Sequence, residues 1–166
     1  MKIQRCFTIR CALLLLPVLL IACFAAAEDK KKDNSPDVCS QANPASLCSA
    51  SNTCGSNCSV DVKRTAYSSS ATPNITGAKG DGIFCVKAGA TVTWQSTAKN
   101  TGFLIDFGGT SPFEPSGTIT GGTEKSVPVV AKTPGCFKYS FTASNSKATY
   151  GMGKAAQGAL IVTAGQ

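Results

Sequence analysis

ATVTWQS at residues 90–96 and CFKYSFTA at residues 136–143 alternate apolar and polar side chains almost without a break. In the first, Val92 and Trp94 share a side opposite Thr91, Thr93 and Gln95. In the second, Phe137, Tyr139 and Phe141 lie opposite Lys138, Ser140 and Thr142. Successive side chains of a strand point to opposite faces, so this pattern describes strands with one buried and one wetted side. IFCVKAG (83–89), FLIDF (103–107), KSVPVVA (125–131) and GALIVTA (158–164) are equally short and rich in β-branched or aromatic residues. Gly, Pro, Ser, Thr and Asn separate them. Six or seven such strands over about 85 residues, with no helical periodicity, predict a single all-β sandwich or barrel.

Upstream the pattern thins. SVDVKRTAY (59–67) has the composition of one more strand, and SSSATPNITGAKGDG (68–82) reads as loop. Asn74-Ile75-Thr76 has the form of a glycosylation acceptor, which matters only in a eukaryotic host. Residues 39–59 are dense in Cys, Ser, Asn, Ala and Gly and carry almost no large apolar side chains. Such a segment cannot fold through a core and is expected to be held by cross-links. Residues 28–38 read as a charged, flexible linker.

The first residues read as an export signal. Lys2, Arg5 and Arg10 precede the apolar run ALLLLPVLLIACFAAA, which ends in small residues before EDKKKDNSPD. The run, about sixteen residues long, falls short of the roughly 20 a spanning helix needs. Two cleavage readings compete. Signal peptidase would cut after Ala27, removing residues 1–27. Alternatively, Leu20-Ile21-Ala22-Cys23 is similar to a lipobox, which would remove residues 1–22 and leave Cys23 lipidated. The expected organisation is therefore a signal, a polar and cysteine-rich stretch over 28–59, and a sandwich over 60–166. The expected compartment is periplasmic or extracellular. Cys23 is the only expected membrane link.

Of nine cysteines, Cys6, Cys11 and Cys23 belong to the signal, leaving Cys39, Cys48, Cys54, Cys58, Cys85 and Cys136 for disulfides. Cys85 and Cys136 both fall in the strand region and are expected to pair, closing a loop worth roughly 4 kcal/mol of chain entropy. Both have the parity of a polar face, so that bridge would have to lie at a strand end or sheet edge. Cys39, Cys48, Cys54 and Cys58 would form two further disulfides, with three pairings open. The competing chemistry is four thiolates holding Cu(I) or zinc, or a Cys54-x3-Cys58 redox pair.

Charge and composition exclude several functions. Sixteen basic residues face nine acidic ones, and loss of Lys2, Arg5 and Arg10 leaves thirteen against nine. No basic stripe interleaved with aromatics is present, so no nucleic-acid partner is expected. The chain has no histidine, which removes Ser–His and Cys–His nucleophile pairs. Ser144-x-x-Lys147 lacks the downstream Lys-Thr-Gly of penicillin-interacting enzymes. Asp106, Glu114 and Glu124 have no evident carboxylate partner, and Gly77, Gly80 and Gly82 lack the strand-then-helix context of a phosphate loop. No catalysis and no cofactor are expected.

Four pieces, in order, resemble the cupredoxin family: VKAGATVTW (Val86–Trp94), KNTGFLIDF (Lys99–Phe107), TPGCFKYSF (Thr133–Phe141) and GMGKAAQGALIV (Gly151–Val162). The resemblance covers residues 82–164 and implies a Greek-key β-sandwich. It does not bring the copper site. A type 1 centre needs two imidazoles and a thiolate, with a thioether often axial. Gly102-Phe103-Leu104 stands where the first ligand histidine would lie, and Ser140-Phe141-Thr142 where the cysteine would lie. Only Met152 matches a ligand. The resemblance thus implies a copper-free binding or structural module with an unidentified protein or small-molecule partner. Its expected contact surface is the loop end formed by residues 100–104, 112–116 and 144–154, with Phe103, Phe113, Tyr150 and Met152 as an apolar patch.

Overall fold

A computed structural model describes residues 37–65, 68–78, 82–150 and 157–165, with the Tyr150 side chain left out. The export signal, both cleavage positions, Cys23 and Met152 lie outside the described residues. Residues from Ser35 onward form one compact unit.

The strands are β1 (Asn57–Arg64), β2 (Ser69–Pro73), β3 (Ile83–Lys87), β4 (Thr91–Gln95), β5 (Gly102–Asp106), β6 (Phe113–Glu114), β7 (Ile119–Gly122), β8 (Val127–Ala131), β9 (Gly135–Ser144), β10 (Thr149–Tyr150) and β11 (Gln157–Thr163). They make two mixed sheets, one ordered β2-β1-β4-β8-β6 and the other β3-β11-β9-β5-β7, with β10 added to β9. β1 runs parallel to β4 and β3 parallel to β11. From β2 to β9 each strand lies in the opposite sheet from its predecessor, so the chain crosses between layers at every connection. The molecule is an all-β sandwich of two sheets, one of the two architectures that the alternation predicts. Residues 69–73, expected as loop, form β2. Ser69, Ala71 and Pro73 face inward there, and Pro73 is tolerated because β2 is an edge strand.

The core follows the alternation. Val60, Val62, Val92 and Trp94 from one sheet meet Phe84, Ile105, Tyr139, Phe141 and Leu160 from the other, all fully buried or nearly so. Trp94 sits among edge-on rings: Tyr139 at 5.5 Å, Phe84 at 6.3 Å and Phe113 at 6.4 Å between centroids. Such pairs add about 0.5–1.5 kcal/mol each beyond area burial.

The cysteine-rich segment is a strap laid on this sandwich. Asp37 pairs with Lys138 of β9, and Cys39 is bonded to Cys136 of the same strand. Two short 3-10 turns, Val38–Ser40 and Pro44–Leu47, then carry the chain to Cys48, bonded to Cys85 of β3. Cys54 and Cys58, four positions apart, bond to each other where the strap enters β1. The strap also covers the free edge of β3: the Cys85 N–H donates to Asn52 O and the Cys54 N–H to Cys85 O, both at 2.8 Å. An exposed strand edge is a template for aggregation, and this one is paired.

Cys85 and Cys136 are therefore not bonded to each other, contrary to expectation. The reason is register. Ile161 of β11 pairs with Cys85 on one side and Cys136 on the other, so β11 separates them. Two strand spacings come to about 10 Å, beyond the roughly 4.4–6.8 Å that a disulfide spans between Cα atoms. Both cysteines face outward, as their parity requires, and each bonds to the strap above. The same cover buries the outward Ile161 to 1 % exposure.

Candidate functional site

β5 begins and β9 ends at the same end of the sandwich. Gly102 pairs with Ser144, Phe103 with Ala143 and Leu104 with Thr142. The two segments that the resemblance aligned with copper ligands are thus neighbours. Their inward positions carry carbon: Phe103 and Phe141 are buried core residues. The Phe103 ring lies over its cross-strand partner Gly121, where an added Cβ would come 2.5 Å from Cζ and 2.6 Å from the Lys125 carbonyl. The last cysteine, Cys136, sits near the other end of β9 and is bonded to Cys39. A donor set with no imidazole and no thiolate at this end does not fit type 1 copper.

The four proposed patch residues do not form one surface. Phe103 and Phe113 are both buried, and they lie toward opposite ends. Phe113 pairs with Ala131 at the end of β8 and packs against Phe107, beyond the end of β5, at 5.5 Å. Met152 and the Tyr150 side chain fall outside the description. Leu104 is the exposed large apolar residue among those described, because its parity on β5 is opposite to that of Phe103 and Ile105.

Above Phe103 the inward-facing layer turns polar. Arg64 continues the inward parity of Val60 and Val62 on β1, and Ser69, its register partner on β2, is buried. Ser96 follows Val92 and Trp94 with the same parity, and Thr101 precedes Phe103 likewise. Ser96 and Thr101 are 5 % and 3 % exposed. The layer is bonded to itself and to the strands below it. Arg64 Nε donates to Thr101 Oγ1 at 3.3 Å, Thr101 Oγ1 donates to Lys99 O at 3.1 Å, and Ser69 Oγ donates to Phe141 O at 3.3 Å. Among the described residues Ser96 Oγ has no partner.

Thr101 also forms one wall of a groove of about 440 Å³, lined further by Asn100, Thr120, Gly121, Thr123 and Lys125. Thr123 stiffens it, donating to Ala98 O and accepting from the Thr101 N–H at 3.0 Å. Asn100 turns the chain into β5 with a left-handed φ of 51°, a conformation Asn tolerates better than most residues. This end thus joins a guanidinium, buried hydroxyls and a polar groove.

The other singled-out residues lie apart from it or in turns. Asp106, Glu114 and Glu124 are exposed. Asp106 accepts from the Gly108 N–H, and Glu114 faces Lys132 at 3.5 Å. Between Ser144 and Lys147, Asn145 Oδ1 accepts from the backbone of Lys147 and Ala148 at 2.9 Å, building a turn. Asn74 Oδ1 likewise accepts from the Ser59 N–H at 2.9 Å. Gly77 occupies a turn at a φ of 80°. Cys39, Cys48, Cys54 and Cys58 do not converge. Two of them leave for β9 and β3, and the other two bond to each other. Thr101 falls within the expected stretch 100–104, whereas Arg64 and Ser96 were not among the expected site residues. VDVKR held the signal for Arg64, since a basic residue there takes the inward parity of two valines.

No protein-family model and no curated protein matches the chain. Among solved structures, it is similar to Fet3p, a multicopper oxidase that functions in iron import, at 15 % identity over 64 % of this chain and a TM-score of 0.27. The match spans 22 % of that protein's length, and at this score it adds nothing to the reading of the site.

Proposed function

We propose that this protein is an exported, non-catalytic cupredoxin-like module without a type 1 copper site, and that it binds a partner or ligand at the β5–β9 end of the sandwich. One observation carries the reading: Phe103 and Phe141, the inward residues of the two segments where the resemblance puts a histidine and a cysteine, are buried in the core, and the Phe103 ring packs over Gly121. Packing has replaced ligation there. The strap supports the compartment, since disulfides persist where the surroundings are oxidising.

Metal analysis and thiol titration of protein purified from its native compartment test this directly. The expected result is six oxidised cysteines, no stoichiometric metal, and no visible thiolate-to-copper band on adding Cu(II). Free thiols at residues 39–58 with stoichiometric copper or zinc would replace this reading with a metal-handling one.

A further inference from the structure

We infer that residues 38–47 of the strap are a redox-sensitive lid over Ala159 and Ile161, latched by the Cys39–Cys136 disulfide, hinged at Cys48–Cys85 and opened by a dithiol reductant. The inference goes beyond the binding reading of the β5–β9 end and is independent of it.

Burial outside the core marks what the lid covers. Phe84, Val86, Leu160 and Val162 belong to the apolar cluster between the sheets, whereas Cys85, Ala159 and Ile161 are buried yet stand outside it. They alternate with those core residues along β3 and β11, so they point away from the sandwich. The Pro44–Leu47 turn lies against β11 and β9 on that side. Ile161 thus owes its enclosure to the strap, not to the other sheet.

The cover is held by little besides its cross-link. Neither 3-10 turn has a buried residue. Among the described residues, one hydrogen bond ties residues 37–47 to the sandwich, from Lys138 to Asp37; the others end within the strap. The next stretch differs, since Asn52 and Cys54 both bond to the backbone of Cys85 at 2.8 Å. Breaking the Cys39–Cys136 bond therefore frees residues 38–47 and leaves 52–58 in place.

The three disulfides differ in the same sense. Cys39 and Cys136 are both half-buried, whereas Cys85, Cys54 and Cys58 are enclosed. Exchange proceeds by attack of a thiolate on one sulfur and departure of the other as a thiolate. A dithiol attacking Cys39 Sγ breaks the bond to Cys136 and leaves Cys39 in a mixed disulfide. The Cys136 thiolate departs at the surface, on the outward face it shares with the exposed Lys138. The reductant's second thiol then displaces Cys39, so two electrons and two protons pass to the protein and the reductant leaves as a disulfide. At Cys48–Cys85 the same step is obstructed. Cys85 Sγ is shut off from attack, and attack on Cys48 would strand a Cys85 thiolate without solvent.

The test titrates the oxidised protein with dithiothreitol, alkylates the thiols released and maps them by mass spectrometry. Cys39 and Cys136 should be alkylated about tenfold or more faster than the cysteines of the other two disulfides. In the half-open protein, amides of residues 38–47 should exchange faster while those of residues 52–54 and β4 keep their protection. Binding of an apolar dye should rise on opening and fall back on reoxidation. Ile161→Thr should blunt that rise, which ties it to the uncovered strip. Asp37→Asn, which removes the ion pair but keeps Lys138, should speed reduction several-fold. Lys138→Gln should be slower than Asp37→Asn, because it also takes away the cation beside the departing thiolate. Reduction of either other disulfide first, reduction of all three together, or dye binding that opening leaves unchanged overturns the inference. Metal bound at the cysteines would instead overturn the module reading, so the two failures are distinguishable.

Discussion

The strap and the sandwich beneath it are built on opposite principles. The strap's two 3-10 turns contain no buried residue, whereas Val60, Trp94, Tyr139, Phe141 and Leu160 of the sandwich are almost wholly enclosed. One is fixed by three cross-links and an ion pair, the other by apolar contact between two sheets. The difference shows what a disulfide framework is for here. A segment of Ser, Asn and Ala cannot drive its own folding, but once attached it shields the outward Ile161 and closes the edge of β3.

Mutation and pH can pull the two principles apart. The largest effect is expected from Trp94→Ala, which should cost about 3–5 kcal/mol in denaturant unfolding and lower the whole domain together. If the strap alone melted, the comparison would be wrong. Next comes removal of the longest cross-link by Cys39→Ser with Cys136→Ser. A separation of 97 residues corresponds to about 4.7 kcal/mol in the chain-entropy treatment, and measured values usually run nearer 2–4. Hydrogen exchange should then quicken in residues 37–47 while amides of β4 and β9 stay slow. Gly121→Ala tests packing in the sandwich: its Cβ would meet both the Phe103 ring and a backbone carbonyl, for a loss of about 1–3 kcal/mol. Leu47→Ala, at the strap's half-buried leucine, should cost about 1 kcal/mol or less.

Acid gives the smallest effect and separates two carboxylates. Asp37 of the strap is held below the ordinary aspartate value chiefly by its hydrogen bond to Lys138. Asp61 of the sandwich is pushed up by partial burial, but Lys63 at 2.7 Å and two bonds from Thr97 outweigh this and lower it. A carboxyl lowered in the folded state stabilises above its unfolded pKa of about 3.9, and that stability fades as pH falls through the folded value. Asp61→Asn should therefore flatten the decline of stability below about pH 4, by under 1 kcal/mol given the exposure of Lys63. Chemical-shift titration should place both aspartates below an unperturbed reference.

The fold was legible because alternation is a local signal. ATVTWQS and CFKYSFTA state their own inward faces, and the structure keeps both. β2 was not legible, since SSATP has neither bulk nor branching; it forms because β1 offers an edge to pair with. The disulfides were half legible. The outward parity of Cys85 and Cys136 could be read, but the insertion of β11 between them is a long-range fact of topology. The candidate site was hidden for a related reason. Phe103 and Phe113, expected on a contact surface near turns, are buried, and Arg64 carried no expectation of its own. Only the sheet pairing shows that Arg64, Ser96 and Thr101 end the same inward column as Val62, Trp94 and Phe103.

The attachment of the strap to β9 also has a mechanical meaning. A pull arriving along the chain from its N-terminal side meets the Asp37–Lys138 pair and then the covalent Cys39–Cys136 link. β9 is the middle strand of its sheet, bonded to β11 on one side and β5 on the other. Load is thereby delivered in one step to the best-supported strand, bypassing the strap and the edge strand β3. As long as that sulfur–sulfur bond holds, tension cannot peel the molecule from its weakest margin inward.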